Sequence, residues 1–276
     1  MKLIDGRKLR DDILENIKSE VRALHFKPVF CDIMVGEDPV SFQYVEMKRK
    51  TAEKAGILFH KAFFKKDIST DELIREIKIL NNYPNMCGII VQLPLPEHID
   101  LKLVLDSIDP MLDVDCLGSA ASERFYGGDV SLGYPTALAC MAILGSVSAE
   151  LQGKNIAVLG QGILVGKPVT ALLQFRGLNP ATVNRQTENK EEIIKNADII
   201  ISAIGKGKYI TGSMIKTGAI IIDAGTSEMN NCVVGDVDLE SVAPVAGLVS
   251  PVPGGVGPVT VAMLLNNVLT VAKMKN

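Results

Sequence analysis

A tyrosine and a lysine stand four residues apart in the segment YVEMK, as Tyr44 and Lys48. The segment has a helical pattern, and this spacing places both side chains on one face of a helix, in line with Ala52 and Ala55. A lysine in a core would be costly, and a tyrosine facing only water would be unusual, so the wall of a cleft suits both. Desolvation there would favour the neutral amine, which can serve as an acid or base.

Two other stretches offer partners for the same cleft. Gln92 ends the apolar strand CGIIVQL, at the edge where open α/β sheets bind ligands, although a polar strand end needs no function. Asp113 and Asp115 lie in the sequence DVD, where their carboxylates would bind an amino-bearing ring or remain solvated. On spacing alone, a lysine whose stem lies along the surface is the commoner explanation for Lys48.

A glycine-rich turn indicates a dinucleotide site. Gly160, Gly162 and Gly166 follow the predicted strand NIAVLG and lead into the predicted helix KPVTALLQF. The spacing GxGxxxG is one residue longer than the usual fingerprint. The physical reasons still apply, because the glycines permit a tight turn and close approach to a pyrophosphate, and the helix N-terminus offers free N–H groups. A turn that binds no nucleotide is the alternative.

The residue after the predicted strand ATVN (181–184) bears on the choice of cofactor. Arg185 stands there, at the position where NAD-binding proteins place an acid for the ribose 2′-hydroxyl. A guanidinium there would pair with a 2′-phosphate, so the sequence favours NADP, with NAD as the alternative. A solvated surface arginine explains Arg185 equally well.

The elements that must position these residues alternate between helix and strand. This pattern predicts a parallel α/β sheet over the first 95 residues and a second α/β unit from Gly153 onward. Residues 109–134 lack periodicity and are predicted to be a long loop, of a kind that is usually functional or disordered. The segment PVPGGVGPVT (251–260) joins the second unit to an apolar C-terminal helix, as a hinge, a ligand wall or both.

The composition excludes several classes of protein. The chain has 276 residues, 47% hydrophobic and 22% charged, and a net charge of −3, which argues against a dedicated nucleic-acid or membrane-surface protein. Five scattered cysteines and three histidines show no metal-ligand spacing, so we expect no metal. We find neither a signal-peptide pattern nor an uninterrupted apolar run of 18 residues, which predicts a cytoplasmic location.

Seven stretches, in this order, resemble the bifunctional methylenetetrahydrofolate dehydrogenase/cyclohydrolases. They are VGEDPVSFQYVEMKRKTAEKAGI, GIIVQLPLP, DVD, the strand, turn and helix start ending in VGKP, AIIIDAG, VVGDVD and PVPGGVGPVTVAMLL. The resemblance covers essentially the whole chain. It implies two α/β domains: a folate-binding domain over 1–140 and 256–276, to which the C-terminal helix returns, and a Rossmann domain over 141–255. It also implies a cleft between them and a homodimer.

The resemblance further implies the chemistry. The family oxidises 5,10-methylenetetrahydrofolate with a nicotinamide cofactor and hydrolyses the 5,10-methenyl cation to 10-formyltetrahydrofolate. By the motif matches, Lys48 is the acid/base, Tyr44 shapes the folate pocket, Gln92 hydrogen-bonds Lys48 and helps to hold it neutral, and Asp115 binds the pterin's amino edge. We add Pro253 to the folate site. The expected NADP contacts are Gly160, Gln161, Gly162, Gly166, Arg185 and Thr226.

The sequence departs from the family pattern in four places. Gln161 stands where an arginine commonly meets the 2′-phosphate, and Arg185 is the candidate to compensate. Cys116 replaces the glycine of DVDG. The family's PCTP is YPTA at 134–137, and its GIN is GTS at 225–227.

Three other functions are the alternatives. A dehydrogenase without useful cyclohydrolase activity conflicts with the retention of Lys48 and Gln92. An amino-acid or hydroxy-acid dehydrogenase leaves YVEMK and QLPLP unexplained. A non-enzymatic dinucleotide-sensing module predicts cofactor affinity without turnover.

Overall fold

The chain forms two compact α/β units. The structure is a computed structural model that describes residues 1–229 and 232–276, without the side chain of Val40. Residues 12–135 and 261–276 form the first unit, called the lysine unit, and residues 1–11 and 136–260 form the second, called the glycine-turn unit. The predicted two-domain α/β fold is confirmed. The predicted bounds stay a prediction, and the structure groups residues 1–11 with the second unit.

Helices and strands alternate along most of the chain. In chain order they are β1 (Lys2–Leu3), α1 (Gly6–Arg22), β2 (Val29–Val35), α2 (Pro39–Lys54), β3 (Leu58–Phe64), α3 (Thr70–Asn81), β4 (Met86–Val91), α4 (Leu101–Asp106), α5 (Ser119–Tyr126), α6 (Pro135–Ser146), β5 (Ile156–Leu159), α7 (Gly166–Phe175), β6 (Ala181–Val183), α8 (Lys190–Asn196), β7 (Ile199–Ser202), a 3₁₀ helix (Gly212–Met214), β8 (Ile220–Asp223), β9 (Ser227–Met229), β10 (Cys232–Val234), α9 (Leu239–Val242), β11 (Leu248–Ser250) and α10 (Val256–Lys275).

The lysine unit is built on the parallel sheet β3-β2-β4. Every residue of the central strand β2 is buried, as its apolar sequence predicts. Helix α2, which carries the tyrosine and the lysine, follows this strand. It begins after Asp38, whose Oδ2 accepts a hydrogen bond from the Ser41 amide at 2.7 Å. It ends before Gly56, whose φ of 83° is the left-handed conformation that terminates many helices.

The glycine-turn unit contains a six-stranded parallel sheet in the order β1-β11-β8-β7-β5-β6. From β5 the chain goes first to β6 on one side and then to β7 on the other. This reversal makes the carboxyl ends of β5 and β7 the topological switch point, where sheets of this kind bind nucleotides. The N-terminal strand β1 completes the sheet by pairing with β11, which explains why residues 1–11 belong to this unit.

The segment 109–134, predicted to be a long loop, contains a helix. Residues 119–126 form α5, and Asp106 holds its first turn by accepting hydrogen bonds from the amide and the hydroxyl of Ser119. Ahead of α5, Asp113 makes an isolated parallel bridge to Ile89 of β4. The loop that contains Asp113 is therefore attached to β4, the strand that Gln92 follows.

Helix α10 is the one helix in the described ranges that is long and apolar enough to cross a membrane. In its most apolar window, 61% of the residues are buried inside the protein. That burial is typical of a core helix.

Candidate functional site

The Lys48 amine lies in a buried polar cluster. Its Nζ donates a hydrogen bond to Gln92 Oε1 at 2.8 Å and lies 2.7 Å from Oδ2 of Asp32. Lys48 is 9% exposed and Asp32 is 0% exposed. The explanation of Lys48 as a surface lysine therefore fails, and the implied hydrogen bond to Gln92 is present. Elements β2, α2 and the residue after β4 bring these three side chains together.

Asp32 is the residue of this cluster that the sequence analysis missed. It lies in the middle of β2, one of the strands of the alternating pattern that is predicted for the first 95 residues. Its contact with Lys48 is close, but the angles are not those of a hydrogen bond, so charge attraction dominates it. Burial raises the pKa of the Asp32 carboxyl, and the nearby Lys48 opposes that rise. The second oxygen, Oδ1, is buried and has no hydrogen-bond partner among the described residues.

The predicted stripe on α2 runs from solvent into the core. Tyr44 is 45% exposed, Lys48 one turn later is 9% exposed, and Ala52 and Ala55 are buried. A stripe of this kind is what a pocket wall requires, because the aromatic ring remains available to a ligand while the amine is desolvated. The observed gradient fits the predicted role of Tyr44, which stays a prediction.

The DVD loop contains two carboxylates in different situations. Asp113 is buried, and its Oδ2 accepts the amide hydrogen of Gly118 at 2.7 Å, so it organises the loop. Asp115 is half-buried and accepts no hydrogen bond within the part of the chain that the structure describes. Burial raises the pKa of Asp115 to about 7, opposed by Lys48 and reinforced by the negative charges of Asp113 and Asp32. Asp115 is therefore close to the amine cluster and free to accept hydrogen bonds from a ligand.

A buried asparagine of α10 holds this loop, and the sequence analysis missed it too. The Asn267 side-chain amide donates to the carbonyl oxygens of Val114 at 2.8 Å and Gly133 at 2.7 Å. Both of its N–H bonds are used, and Asn267 is 1% exposed. The signal was available as a lone amide on an otherwise apolar face of the predicted C-terminal helix.

Cys116 adopts a conformation that favours glycine. Its φ is 58°, and its side chain is fully buried. Left-handed backbone costs a non-glycine residue roughly 1–2 kcal/mol. The replacement of the family's glycine is therefore tolerated at some cost, and burial raises the pKa of the thiol so that it stays protonated.

The glycine-rich turn of the other unit has the geometry that the sequence predicts. Gly160 has a φ of 83°, and a Cβ there would lie 2.3 Å from the Ala203 carbonyl oxygen, at the switch point between β5 and β7. A Cβ on Gly166 would lie 1.9 Å from the Gly160 oxygen. Gly162 faces open space, since a Cβ added there would have no neighbouring atom within 4 Å. Helix α7 starts at Gly166 without a side-chain cap. The Lys167 amide donates to the Gly162 oxygen at 3.1 Å and Pro168 has no N–H, so the Gly166 amide is the group of this first turn that is available to a phosphate.

The residues around this turn fit a dinucleotide with a 2′-phosphate. Gln161 folds back on the turn, where its Nε2 donates to the Gly160 oxygen at 3.1 Å. Arg185 is exposed in the turn after β6 and makes no ion pair with any described residue. The Asn184 side chain shapes that turn by accepting the Gln186 amide at 2.8 Å. The guanidinium of Arg185, which has no ion-pair partner among the described residues, thus lies just beyond β6, the strand next to β5.

Thr226 lies in a loop held by two buried aspartates. Asp236 accepts the amides of Ile204 and Lys206, each at 2.8 Å. Asp223, whose pKa is raised by burial to about 6, accepts the Val237 amide at 2.9 Å. These carboxylates fix the chain beyond β7 and β8, and Thr226 is exposed there.

Pro253 is exposed in the PVPGGVGP segment, which contacts the N-terminal residues of the same unit. The Gly6 amide donates to the Gly254 oxygen at 3.0 Å.

The structure brings together only part of the predicted set. Tyr44, Lys48, Gln92 and Asp115 belong to the lysine unit, whereas Pro253 and every predicted NADP contact belong to the glycine-turn unit. The cleft between domains stays a prediction. Among the described residues there is no group of three or more acidic, histidine or cysteine side chains that could hold a metal ion.

Two surface concavities of the glycine-turn unit do not coincide with this site. Their volumes are about 180 and 520 Å³, and they lie around Lys154 and Lys216 at the amino ends of the strands. No predicted contact lines them, and the open turn at the carboxyl ends is the better nucleotide site because it lies at the topological switch point of the sheet.

Two family models match the chain. Residues 4–115 match the tetrahydrofolate dehydrogenase/cyclohydrolase catalytic domain, and residues 134–276 match the NAD(P)-binding domain of the same family. The chain is 39% identical over 277 residues to the Bifunctional protein FolD of Hydrogenobaculum sp. (strain Y04AAS1), with 100% of both chains covered. It is 40% identical to the protein of the same name from Nautilia profundicola, covering 99% of this chain and 98% of that one.

Solved structures agree over the whole chain. A bifunctional FolD methylenetetrahydrofolate dehydrogenase/cyclohydrolase from Campylobacter jejuni is similar with a TM-score of 0.96 at 33% identity, and 100% of each chain is covered. A FolD from Trypanosoma brucei, complexed with NADP and an inhibitor, is similar with a TM-score of 0.92 at 34% identity, covering 99% of this chain and 97% of that one. The chain belongs to the tetrahydrofolate dehydrogenase/cyclohydrolase family.

Proposed function

We propose that the protein oxidises 5,10-methylenetetrahydrofolate to the 5,10-methenyl cation with NADP and hydrolyses that cation to 10-formyltetrahydrofolate. The observation that carries the proposal is the buried Lys48 amine, bonded to Gln92 and one helical turn from an exposed Tyr44 ring. A dehydrogenase alone has no need of a desolvated amine, whereas hydrolysis needs a group that takes a proton and returns it.

NADP fits the glycine-turn unit. The open space at Gly162 and the uncapped start of α7 would receive the pyrophosphate, and the unpaired Arg185 would receive the 2′-phosphate. When bound, NADP supplies the hydride acceptor. The chain's own contribution to oxidation is to position the methylene carbon, because hydride transfer depends mainly on distance and orientation.

The lysine unit supplies the groups for binding and hydrolysis. The Tyr44 ring would form one wall for the folate, and the Asp115 carboxylate would accept hydrogen bonds from the pterin's amino edge. Water attacks the methenyl carbon as its proton passes to Lys48 Nζ. The same nitrogen then gives a proton to the folate nitrogen that leaves, and the remaining hydroxyl proton departs as the formyl group forms.

An absorbance assay tests the function. We expect purified protein to form the methenyl chromophore from methylenetetrahydrofolate and NADP, faster than with NAD, and then to consume it. Lys48→Met should bind NADP normally and lose at least about 10²-fold in hydrolysis, the usual contribution of a general acid–base. Normal hydrolysis by this variant would show that the lysine has another role. Accumulation of the chromophore without decay would indicate a single-activity dehydrogenase.

Two further properties complete the proposal. We place the enzyme in the cytoplasm, the location that the sequence predicts. We also expect a homodimer, because β3 is an edge strand of its sheet and exposes Leu58 and Phe63, with Phe42 of α2 beside Phe63. An exposed edge with apolar side chains is a surface that proteins commonly cover by pairing.

A further inference from the structure

Asp32 provides a carboxylate beneath the lysine that the proposed mechanism has not yet used. It is 0% exposed, and its Oδ2 lies 2.7 Å from Lys48 Nζ. A buried carboxylate is costly unless its oxygens are partnered, yet Oδ1 has no hydrogen-bond partner among the described residues. Burial raises the pKa of the Asp32 carboxyl, and the amine of Lys48 opposes that rise because it stabilises the ionised form.

Two oxygens flank the amine. Nζ donates a hydrogen bond to Gln92 Oε1 at 2.8 Å and lies 2.7 Å from Asp32 Oδ2. The contact with Asp32 does not have the angles of a hydrogen bond, so it acts by charge. An ionised Asp32 therefore favours the ammonium form of Lys48 over the neutral amine.

We propose that Asp32 is the positioning residue of Lys48 and the counter-ion of its ammonium form, so that this buried carboxylate stabilises the charge that forms when Nζ takes a proton from water. The inference rests on the proposed function. With Asp32 ionised, Nζ accepts a proton from water while the C–O bond forms, and the resulting ammonium lies beside its counter-ion. Nζ then returns a proton to the leaving nitrogen as the C–N bond breaks.

Other charged groups near the pair are already accounted for. Lys61 of β3 lies opposite Asp32 of β2 in the sheet, but its amine binds Glu46 of α2. Arg49 binds Glu46 and Glu53. Asp113 is held by loop amides, and the neighbouring Cys31 thiol is buried, which raises its pKa. Asp115 is the one described group whose own titration, near pH 7, would overlap with that of the pair.

The test is the pH profile of methenyltetrahydrofolate hydrolysis at saturating substrate, corrected for the uncatalysed rate at each pH. Without the carboxylate, the ammonium form of Lys48 loses its counter-ion. We expect Asp32→Asn to move the acid limb of kcat to lower pH by about one unit or more, the size of effect that an adjacent opposite charge produces. The plateau should fall about tenfold, because a less basic amine is a weaker general base, while KM changes little.

Three controls make the result specific. Glu46→Gln removes a carboxylate of α2 that binds Arg49 and Lys61 but not Lys48. It should leave the pH of the acid limb of kcat unchanged. The Asp32→Asn shift should persist in an Asp115→Asn background, which removes the overlapping titration. Asp32→Val suits a buried strand and should show the same shift if the amide variant does not fold.

Each outcome decides between the two proposals. A wild-type enzyme that does not hydrolyse methenyltetrahydrofolate would contradict the proposed function and this inference with it. An active wild type whose acid limb is unchanged by Asp32→Asn would overturn the inference alone. So would an equal shift in Glu46→Gln, or a shift that disappears in the Asp115→Asn background.

Discussion

At the scale of single residues, Asp115 makes the clearest pH-dependent prediction. Its carboxyl is neutral below about pH 7 and ionised above, because burial disfavours the charge and raises the pKa. The ionised form accepts hydrogen bonds from an amino edge more strongly, so we expect folate affinity to rise as the pH increases through 7. Asp115→Asn should abolish that rise and weaken binding about tenfold or more at pH 8, since hydrogen bonds to charged groups contribute about 1.5–3 kcal/mol. Calorimetric titration with a folate analogue between about pH 5.5 and 8.5 measures both.

Asp67→Asn is the matched control, because Asp67 is an exposed carboxylate of the same unit. It should leave the pH dependence of folate binding intact. An affinity that does not change with pH in the wild type would show that Asp115 does not contact the substrate.

At the scale of elements, the sequence predicted helices and strands that depend on neighbouring residues, but it did not predict contacts between distant residues. The strand in CGIIVQL, the strand in NIAVLG and the helix in KPVTALLQF were predicted and are present as β4, β5 and α7. Asp32 was not predicted as a site residue because its partner lies 16 residues away on another element, although a lone carboxylate inside the apolar run VFCDIMV was an available signal. Helix α5 escaped because it is short and is held by Asp106, outside the helix.

The glycine-rich turn makes an element-scale prediction that separates folding from binding. Gly162 faces open space, so Gly162→Ala should fold with an almost unchanged melting temperature. The added methyl would occupy the space proposed for the pyrophosphate, and we expect NADP affinity to fall about tenfold or more, because an overfilled site costs roughly 1–3 kcal/mol. Thermal melts and cofactor titration of the same preparation measure the two effects.

Gly160→Ala is the comparison variant for the turn. Its Cβ would lie 2.3 Å from the Ala203 oxygen at a φ of 83°, so it should lower the melting temperature as well as the affinity. A Gly162→Ala protein that binds NADP normally would place the pyrophosphate elsewhere.

At the scale of the whole molecule, the sequence predicted two α/β domains but not the pairing of the N-terminal strand β1. The family resemblance assigns residues 1–140 to the folate domain, whereas β1 completes the other unit's sheet. Two residues of strand carry almost no local signal, and their partner is about 245 residues away in β11. Pairing over such a separation is decided by the assembled sheet, so sequence periodicity cannot reveal it.

Assembly of the whole molecule is expected to use the open edge of β3. In the lysine unit, the outer edge of β4 is bridged by Asp113, whereas the outer edge of β3 has no strand beside it among the described residues. Phe63 of β3 is 44% exposed there, so we expect the wild type to have twice the 29.7 kDa chain mass by light scattering at micromolar concentration. Phe63→Glu should give the chain mass, because a charge on the contact edge opposes pairing. Ile79→Glu, on the exposed face of α3, should remain a dimer. A monomeric wild type, or a dimer that survives Phe63→Glu, would exclude this edge as the dimer contact.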